Sequence, residues 1–323
     1  MSTADNNATA IDTVTEGIDK VDISDNNDNT SEVIQETCAS CGKESKSEDM
    51  NTCNKCKSVK YCNAACKKKH RKKHKKACDR RVAELHEERL FKELEPVECP
   101  ICFQPMPIES REASFKSCCG KEICNGCIYE MECSDEKGLC PFCRTRNHIG
   151  CNEKLDRLKK LMDNGNAYAY NIVAFSYSTE INDLPRDYNK ACELYLKAGE
   201  LGCPEAYHNL GCSYYYGTGV ERDMKKAKYY YELAAMGGRV HTRNLLGCME
   251  GEAGCHHRAM KHFLIAARAG DKDSMHNVQI GFRDGIVTKD EFASTLRAHK
   301  QRLDEMKSDA RAEAAASGLF SSG

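Results

Sequence analysis

Apolar residues recur at fixed intervals in the second half of the chain and lie scattered in the first. The stretch EAYHNLGCSYYYGTGVERDMKKAKYYYELAAMGG (205–238) matches residues 167–202 and 241–270 when slid along the sequence. Leu210-Gly211 returns 36 residues later as Leu246-Gly247, and Ala191, Ala227 and Ala259 each stand eleven residues before a glycine, at Gly202, Gly238 and Gly270. Each unit is predicted to be a pair of helices, with Ala and Gly where helices cross closely and Tyr or Leu filling between them. Asp187 and Asp223 are the expected N-caps of the second helices. The third unit lacks the GTGV-type turn. A fourth, degenerate unit begins at Ser274. Its second helix should open with the capping box TKDE (288–291) and run on toward residue 315 as a polar end cap. One such hairpin cannot bury its apolar face, but a stack of them can. The tyrosines at 214–216 and 229–231 are divided between core filling and partner contact, and Cys192, Cys203, Cys212, Cys248 and Cys255 are expected to be small, buried or half-buried apolar residues.

The first half has no such period. Residues 1–37 hold isolated aliphatics among Asn, Asp, Ser and Thr, with nine acids against one lysine, and are predicted to be disordered. Residues 67–81 reverse the balance with ten bases against one acid, although the net charge of the whole chain is only −1. A charged helical stretch, RRVAELHEERLFKELEP, follows. No apolar run approaches the ~20 residues of a membrane helix. The opening residues lack a basic start and an apolar middle, so the expected address is cytoplasmic or nuclear, with no membrane partner.

Cysteine changes the picture. There are 22, sixteen of them before residue 144, mostly in close pairs. Without an export signal, pairs of this kind point to metal ligation rather than disulfides. The first cluster reads Cys38-x2-Cys41, Cys53-x2-Cys56, Cys62-x3-Cys66 and His74-x3-Cys78. Two-residue gaps suit a tight knuckle, and three-residue gaps put ligands one helical turn apart on one face. Eight ligands make two tetrahedral zinc sites. So short a segment with few aliphatics cannot fold on burial alone; zinc would supply ~10–16 kcal/mol per site.

This order, with YCNAAC and HKKAC, resembles the MYND zinc finger over residues 38–78. The resemblance implies that one zinc takes Cys38, Cys41, Cys62 and Cys66, and the other Cys53, Cys56, His74 and Cys78. His70 lies one turn from Cys66 and from His74 and could replace His74; the family register favours His74. Where the family has Gln and Trp, this chain has Lys67 and Arg71, which puts the family's peptide-binding surface in question. The bases around them read as the solvated face of a short zinc-module helix. Nucleic acid is not the expected partner, because few aromatics accompany the run.

The second cluster contains Cys99, Cys102, Cys118, Cys119, Cys124, Cys127, Cys140 and Cys143, with Cys133 outside any pair. Its order resembles an all-cysteine RING finger over 97–146. That resemblance implies a cross-brace, with Cys99, Cys102, Cys124 and Cys127 on one ion and Cys118, Cys119, Cys140 and Cys143 on the other. Lys121 stands where a common RING has a ligand histidine, so adjacent Cys118 and Cys119 must both reach the second ion; if only one does, that site has three sulfurs. RING fingers of ubiquitin ligases dock a conjugating enzyme and hold its thioester in a reactive pose. The residues matching that docking role are Ile101, Pro141 and Arg144, with mini-core, turn and surface charge as their ordinary roles.

The helical units resemble the Sel-one-like repeat, a relative of the tetratricopeptide repeat, over about 166–273. The fold class expected is therefore multidomain: two small zinc-stabilised α+β modules with little regular structure, MYND-like and RING-like, followed by an all-α helical-hairpin repeat solenoid. The boundaries are a leader (1–37), the MYND-type finger (38–78), a helical linker (79–96), the RING-like finger (97–146), a second helical linker (147–165), the repeats (166–287), and a capping helix and tail (288–323). The function expected is a zinc-binding adaptor with about four zinc ions. The first reading is a ubiquitin-ligase-like scaffold whose partners are a conjugating enzyme and a substrate protein; the alternative is a non-enzymatic interaction scaffold. No nucleophile with a paired base, phosphate loop or carboxylate pair stands out for catalysis by the chain itself.

Overall fold

The computed structural model describes residues 35–320 apart from 94, 136, 148, 149 and 182. The acidic leader read as disordered lies outside the described residues as far as residue 34, but residues 35–37 form a strand. The chain divides into two units, Met1–Lys92 and Glu93–Gly323.

In the first unit, β1 (Gln35–Thr37) pairs antiparallel with β2 (Glu44–Lys46), and β3 (Asn51–Thr52) with β4 (Lys60–Tyr61). The interior is largely sulfur: Cys38, Cys53, Cys56 and Cys78 surround Met50 and Tyr61, with Val59 at the edge. Helix α1 (Ala64–Leu90) starts at Asn63, whose Oδ1 accepts from the Cys66 amide at 2.8 Å. It is one continuous helix of 27 residues rather than the expected short helix followed by a separate helical linker. No Gly or Pro interrupts it, Lys, Arg, Glu, Ala and Leu favour helix throughout, and Arg81 bridges Glu84 and Glu88 at 3.2 and 2.9 Å.

The second unit opens with the hairpin β5 (Ala113–Lys116) and β6 (Lys121–Cys124), paired so that Ala113 faces Cys124, and continues into α2 (Asn125–Glu132). Helix α3 (Cys151–Asp163) leads to four hairpins: α4 (Ala167–Thr179) with α5 (Tyr188–Glu200), α6 (Pro204–Tyr216) with α7 (Met224–Met236), α8 (Val240–Glu252) with α9 (His256–Arg268), and α10 (Lys272–Arg283) with α11 (Lys289–Glu305). Asp187 caps α5 through the Lys190 amide at 3.0 Å, and Asp223 caps α7 through the Lys225 and Lys226 amides at 2.9 and 3.1 Å. Each second helix of the first three hairpins is closed by a left-handed glycine, Gly202, Gly238 or Gly270. The next residue's amide then returns to an alanine carbonyl five positions earlier, as in Cys203 N to Ala198 O at 3.0 Å. Ala191, Ala198, Ala206, Tyr195 and Leu210 form one buried cluster, and Ala259, Phe263, Ala267, Met275 and Val278 another. Of the tyrosines, Tyr231 is buried, Tyr214 stacks on Tyr230 with centroids 5.5 Å apart, and Tyr216 is exposed.

Two expectations need correction. Cys192 and Cys203 are buried and Cys212 is half-buried, but Cys248 and Cys255 are exposed, one on the outer side of α8 and the other at the start of α9. The capping box at Thr288 and Glu291 forms, yet its helix stops at Glu305 instead of running to 315. Ser308 then caps a separate helix, α12 (Asp309–Ala316), which turns back onto α2. Whether the second cysteine module touches the repeats is open in the sequence; in the structure it does. Phe115 of β5 stacks on Tyr168 of α4 with centroids 6.3 Å apart, and the Gln104 amide donates to the Lys307 carbonyl at 3.3 Å. Among the described residues, no helix is long and apolar enough to cross a membrane.

Candidate metal centres

Four loops of one design carry half of the candidate ligands. In each, a Cys-x2-Cys pair is followed by a residue with positive φ: Gly42 (74°), Lys57 (53°), Phe103 (56°) and Arg144 (58°). The amide of that residue donates to the carbonyl of the first cysteine, at 2.9 Å for Gly42 to Cys38, 3.0 Å for Lys57 to Cys53, and 2.9 Å for both Phe103 to Cys99 and Arg144 to Cys140. The first cysteine's own amide donates onward to the carbonyl of Lys43, Val59, Gln104 or Thr145. The left-handed residue is what turns the chain back so that both sulfurs face one point. Three of the four are not glycine and hold this conformation at a cost of ~1–2 kcal/mol each.

The remaining ligands come from helix starts and strand ends. Cys62 and Cys66 flank the first turn of α1, His74 and Cys78 lie further along it, and Cys124 and Cys127 flank the start of α2. Among the described residues four sets result, each with its ligand atoms within 4.8 Å of one another: Cys38, Cys41, Cys62, Cys66; Cys53, Cys56, His74, Cys78; Cys99, Cys102, Cys124, Cys127; and Cys118, Cys119, Cys140, Cys143. Both Cys118 and Cys119 therefore reach the fourth set. His74 Nε2 lies 3.2 Å from Cys56 Sγ, whereas His70 Nδ1 lies 3.3 Å from the Tyr61 hydroxyl.

The distances suit zinc. A tetrahedron with ~2.3 Å Zn–S bonds has edges of about 3.8 Å, and a disulfide would be ~2.05 Å. Cys41 and Cys62 are 3.7 Å apart, Cys53 and Cys78 3.8 Å, Cys99 and Cys127 3.9 Å, Cys102 and Cys124 3.8 Å, and Cys119 and Cys140 3.7 Å. Hydroxyls support two sulfurs in matching places: Ser58 Oγ is 3.1 Å from Cys56 Sγ, and Thr145 Oγ1 is 3.2 Å from Cys143 Sγ. Burial pushes both of these thiols up, but the hydroxyls and neighbouring groups outweigh it and hold each at about 6. Cys62 is pushed up to about 12, first by its bond with Cys66. Four sulfurs packed this closely cannot all ionise without a cation between them.

The other singled-out residues fall around these sets. Lys121 is no ligand: its Nζ lies 4.3 Å from the centroid of the Phe142 ring. Ile101 and Phe142 are half-buried against Cys99, Ile123, Cys124, Cys127 and Ile128, as is Phe320. Pro141 is half-buried and Arg144 exposed on the fourth knuckle. Cys133 caps the end of α2 and is exposed. Lys67, which replaces the family's Gln, donates to Asn54 Oδ1 at 2.8 Å, and Arg71 is exposed. Two features had no sequence signal. Phe103 exposes 72 % of its surface on the third knuckle. Arg311 places Nη2 3.7 Å from Cys102 Sγ across 209 residues of sequence.

The MYND finger model matches residues 38–78, and the Sel1 repeat model matches 167–203, 204–238 and 256–271. No RING family model matches the second cluster. Among solved structures, a Sel1 repeat protein from Oxalobacter formigenes is similar at 23 % identity with a TM-score of 0.40, over 46 % of this chain and 64 % of that one. A protective antigen with an SLR fold from uropathogenic Escherichia coli is similar at 21 % identity with a TM-score of 0.42, over 61 % of this chain and 40 % of that one. The chain thus spans less than two thirds of the length of either. A MYND-type finger and Sel1-type repeats together support a zinc-binding, protein-interaction role.

Proposed function

We propose that the chain is a protein-interaction scaffold holding four zinc ions, in which the MYND-type finger and the helical repeats offer the binding surfaces and the second zinc module is built into the repeat unit. The ligands are the sixteen residues of the four sets. The observation that carries the scaffold reading is that the second module's helix α2 is already covered by α12, through Gly126 against Arg311 and Ala310, while its hairpin rests on Tyr168. A module embedded in this way acts as a joint. The reading predicts partners captured by the full chain whose binding is insensitive to Ile101→Ala and Arg144→Ala but is lost on chelation.

The second reading is a ubiquitin-ligase-like adaptor, favoured by Ile101 between the first two ligands, Pro141 in the last pair and Arg144 directly after it. Such a module would do no covalent chemistry. It would fix the conjugating enzyme's thioester against a lysine held by the repeats. Zinc-dependent ubiquitin chain formation with some member of a broad conjugating-enzyme panel, abolished by Ile101→Ala or Arg144→Ala at unchanged zinc content, would establish this reading over the first. No chain formation with any member leaves the scaffold.

A further inference from the structure

Contacts to the candidate ligand sulfurs from outside the sets come mostly from near neighbours in sequence: Asn63 on Cys62, Ser58 on Cys56 and Thr145 on Cys143. The third set differs. Its outside donor is Arg311, delivered by α12 from beyond the repeats. The guanidinium is held from several sides. Nη1 donates to the Pro105 carbonyl at 2.9 Å and to the Met306 carbonyl at 2.8 Å, leaving Nη2 directed at Cys102 Sγ at 3.7 Å. Only a planar fork can reach two carbonyls and a sulfur in one geometry, so lysine would not substitute.

The seat beneath it is built for close approach. Gly126 lies between the ligands Cys124 and Cys127, and a β-carbon added there would sit 2.8 Å from the Arg311 amide nitrogen and 2.7 Å from its Cγ. Ala314 of α12 is 2 % exposed, and Phe320 packs on the cluster of Cys99, Ile123, Cys124, Cys127 and Ile128. Charge acts in the same direction. Four thiolates around Zn2+ leave a net charge of −2, and a guanidinium at hydrogen-bonding range offsets part of it.

We infer that Arg311 is a positioning residue of the third metal centre, and that seating of residues 308–320 on α2 and zinc binding by Cys99, Cys102, Cys124 and Cys127 strengthen each other. The coupling is reciprocal by thermodynamic necessity: whatever the seated segment adds to zinc affinity, zinc adds to the seating. The inference rests on the third set holding zinc.

The test uses the full zinc-loaded chain, Arg311→Ala, Arg311→Lys, a chain ending at Lys307, and Cys99→Ser. Zinc content is counted by atomic emission and affinity measured by competition with a chromophoric chelator. In Arg311→Ala and in the shortened chain, one of the four zincs should be held about 10–100-fold more weakly, as for other outer-shell losses, with the other three unchanged. Arg311→Lys should recover little of the loss, and a synthetic 308–320 peptide added to the shortened chain should restore it. In cobalt-substituted protein, Arg311→Ala should move the sulfur-to-cobalt charge-transfer band to lower energy, because a thiolate that loses an N–H donor gives up its electrons more readily. Competition curves that superimpose on the unaltered chain overturn the coupling, as does equal weakening at all four sites. A zinc count left unchanged by Cys99→Ser overturns the metal assignment itself.

Discussion

Two glycines on neighbouring repeat helices should respond to alanine with opposite sign. Glycine inside a helix is worse than alanine by ~0.5–1 kcal/mol, whatever its surroundings. At Gly251 in α8 an added β-carbon meets only the Ala259 Cβ, at 3.9 Å, so Gly251→Ala should collect that gain. At Gly211 in α6 the same atom would stand 2.6 Å from both Cδ1 and Cε1 of Tyr231. That ring is 2 % exposed, and its hydroxyl lies 3.5 Å from Cys212 Sγ, so it cannot swing aside. Overpacking of this kind costs ~1–3 kcal/mol. The propensity gain is common to both variants and cancels in the comparison, leaving a gap of about 1–3 kcal/mol in favour of Gly251→Ala. Native-state amide exchange in α6 to α9 reads this locally as a difference in protection of roughly 5–150-fold. Equal protection in the two variants, or a more stable Gly211→Ala, would refute the idea that the hairpins close by seating a ring in the groove a glycine leaves.

The remaining expectations concern the metal centres and a buried base. Cys118→Ser should lower the zinc content by one ion while Cys133→Ser leaves it unchanged; identical counts would show that the fourth set is not a four-sulfur site. Gly42→Ala meets no atom within 4 Å but keeps φ near +74°, so it should weaken the first zinc by ~1 kcal/mol, about fivefold, through backbone strain alone. Chelator competition checks it, and full affinity would mean that the knuckle tolerates another conformation. His262 is fully buried, and burial, with Arg243 and Arg258 adding to it, lowers its pKa to about 3. Its unfolded value is ~6.5, so stability is full above that and falls as pH drops, by ~1.4 kcal/mol per unit. Urea titrations between pH 6.5 and 5 should give His262→Gln a shallower slope by one proton; parallel slopes would count against a neutral buried imidazole.

Local chemistry was legible in the sequence and remote contact was not. The spacing of Cys38 through Cys78 delimits a zinc module because ligand gaps of two and three residues are local geometry. The 36-residue return of Leu210-Gly211 gives the hairpins, and Asp187, Asp223 and Thr288 mark helix starts through bonds spanning three residues. Helix on both sides of Cys78 is legible in the sequence, while its continuity through the last ligand is not, since a domain boundary placed there separates two stretches that Arg81, Glu84 and Glu88 help join. The break between α11 and α12 was missed for a different reason. Ser308 marks the new start locally, its Oγ accepting from the Arg311 amide at 3.2 Å, but the Arg311 Nη1 bond to the Pro105 carbonyl, 206 residues away, leaves no trace in the sequence pattern. Cys248 and Cys255 were misjudged because thiols carry no mark of which helix face they occupy.

The long reach from Cys102 to Arg311 also sets an order of events during synthesis. A ribosome adding ~5–20 residues per second needs roughly 10–40 s to cover that separation. Through that interval the hairpin and α2 are already made, but the cation that flanks their sulfur has not emerged. On the coupling proposed above, a nascent chain halted among the repeats would carry a centre that holds zinc about 10–100-fold more weakly, and metal retention would record whether translation passed residue 311.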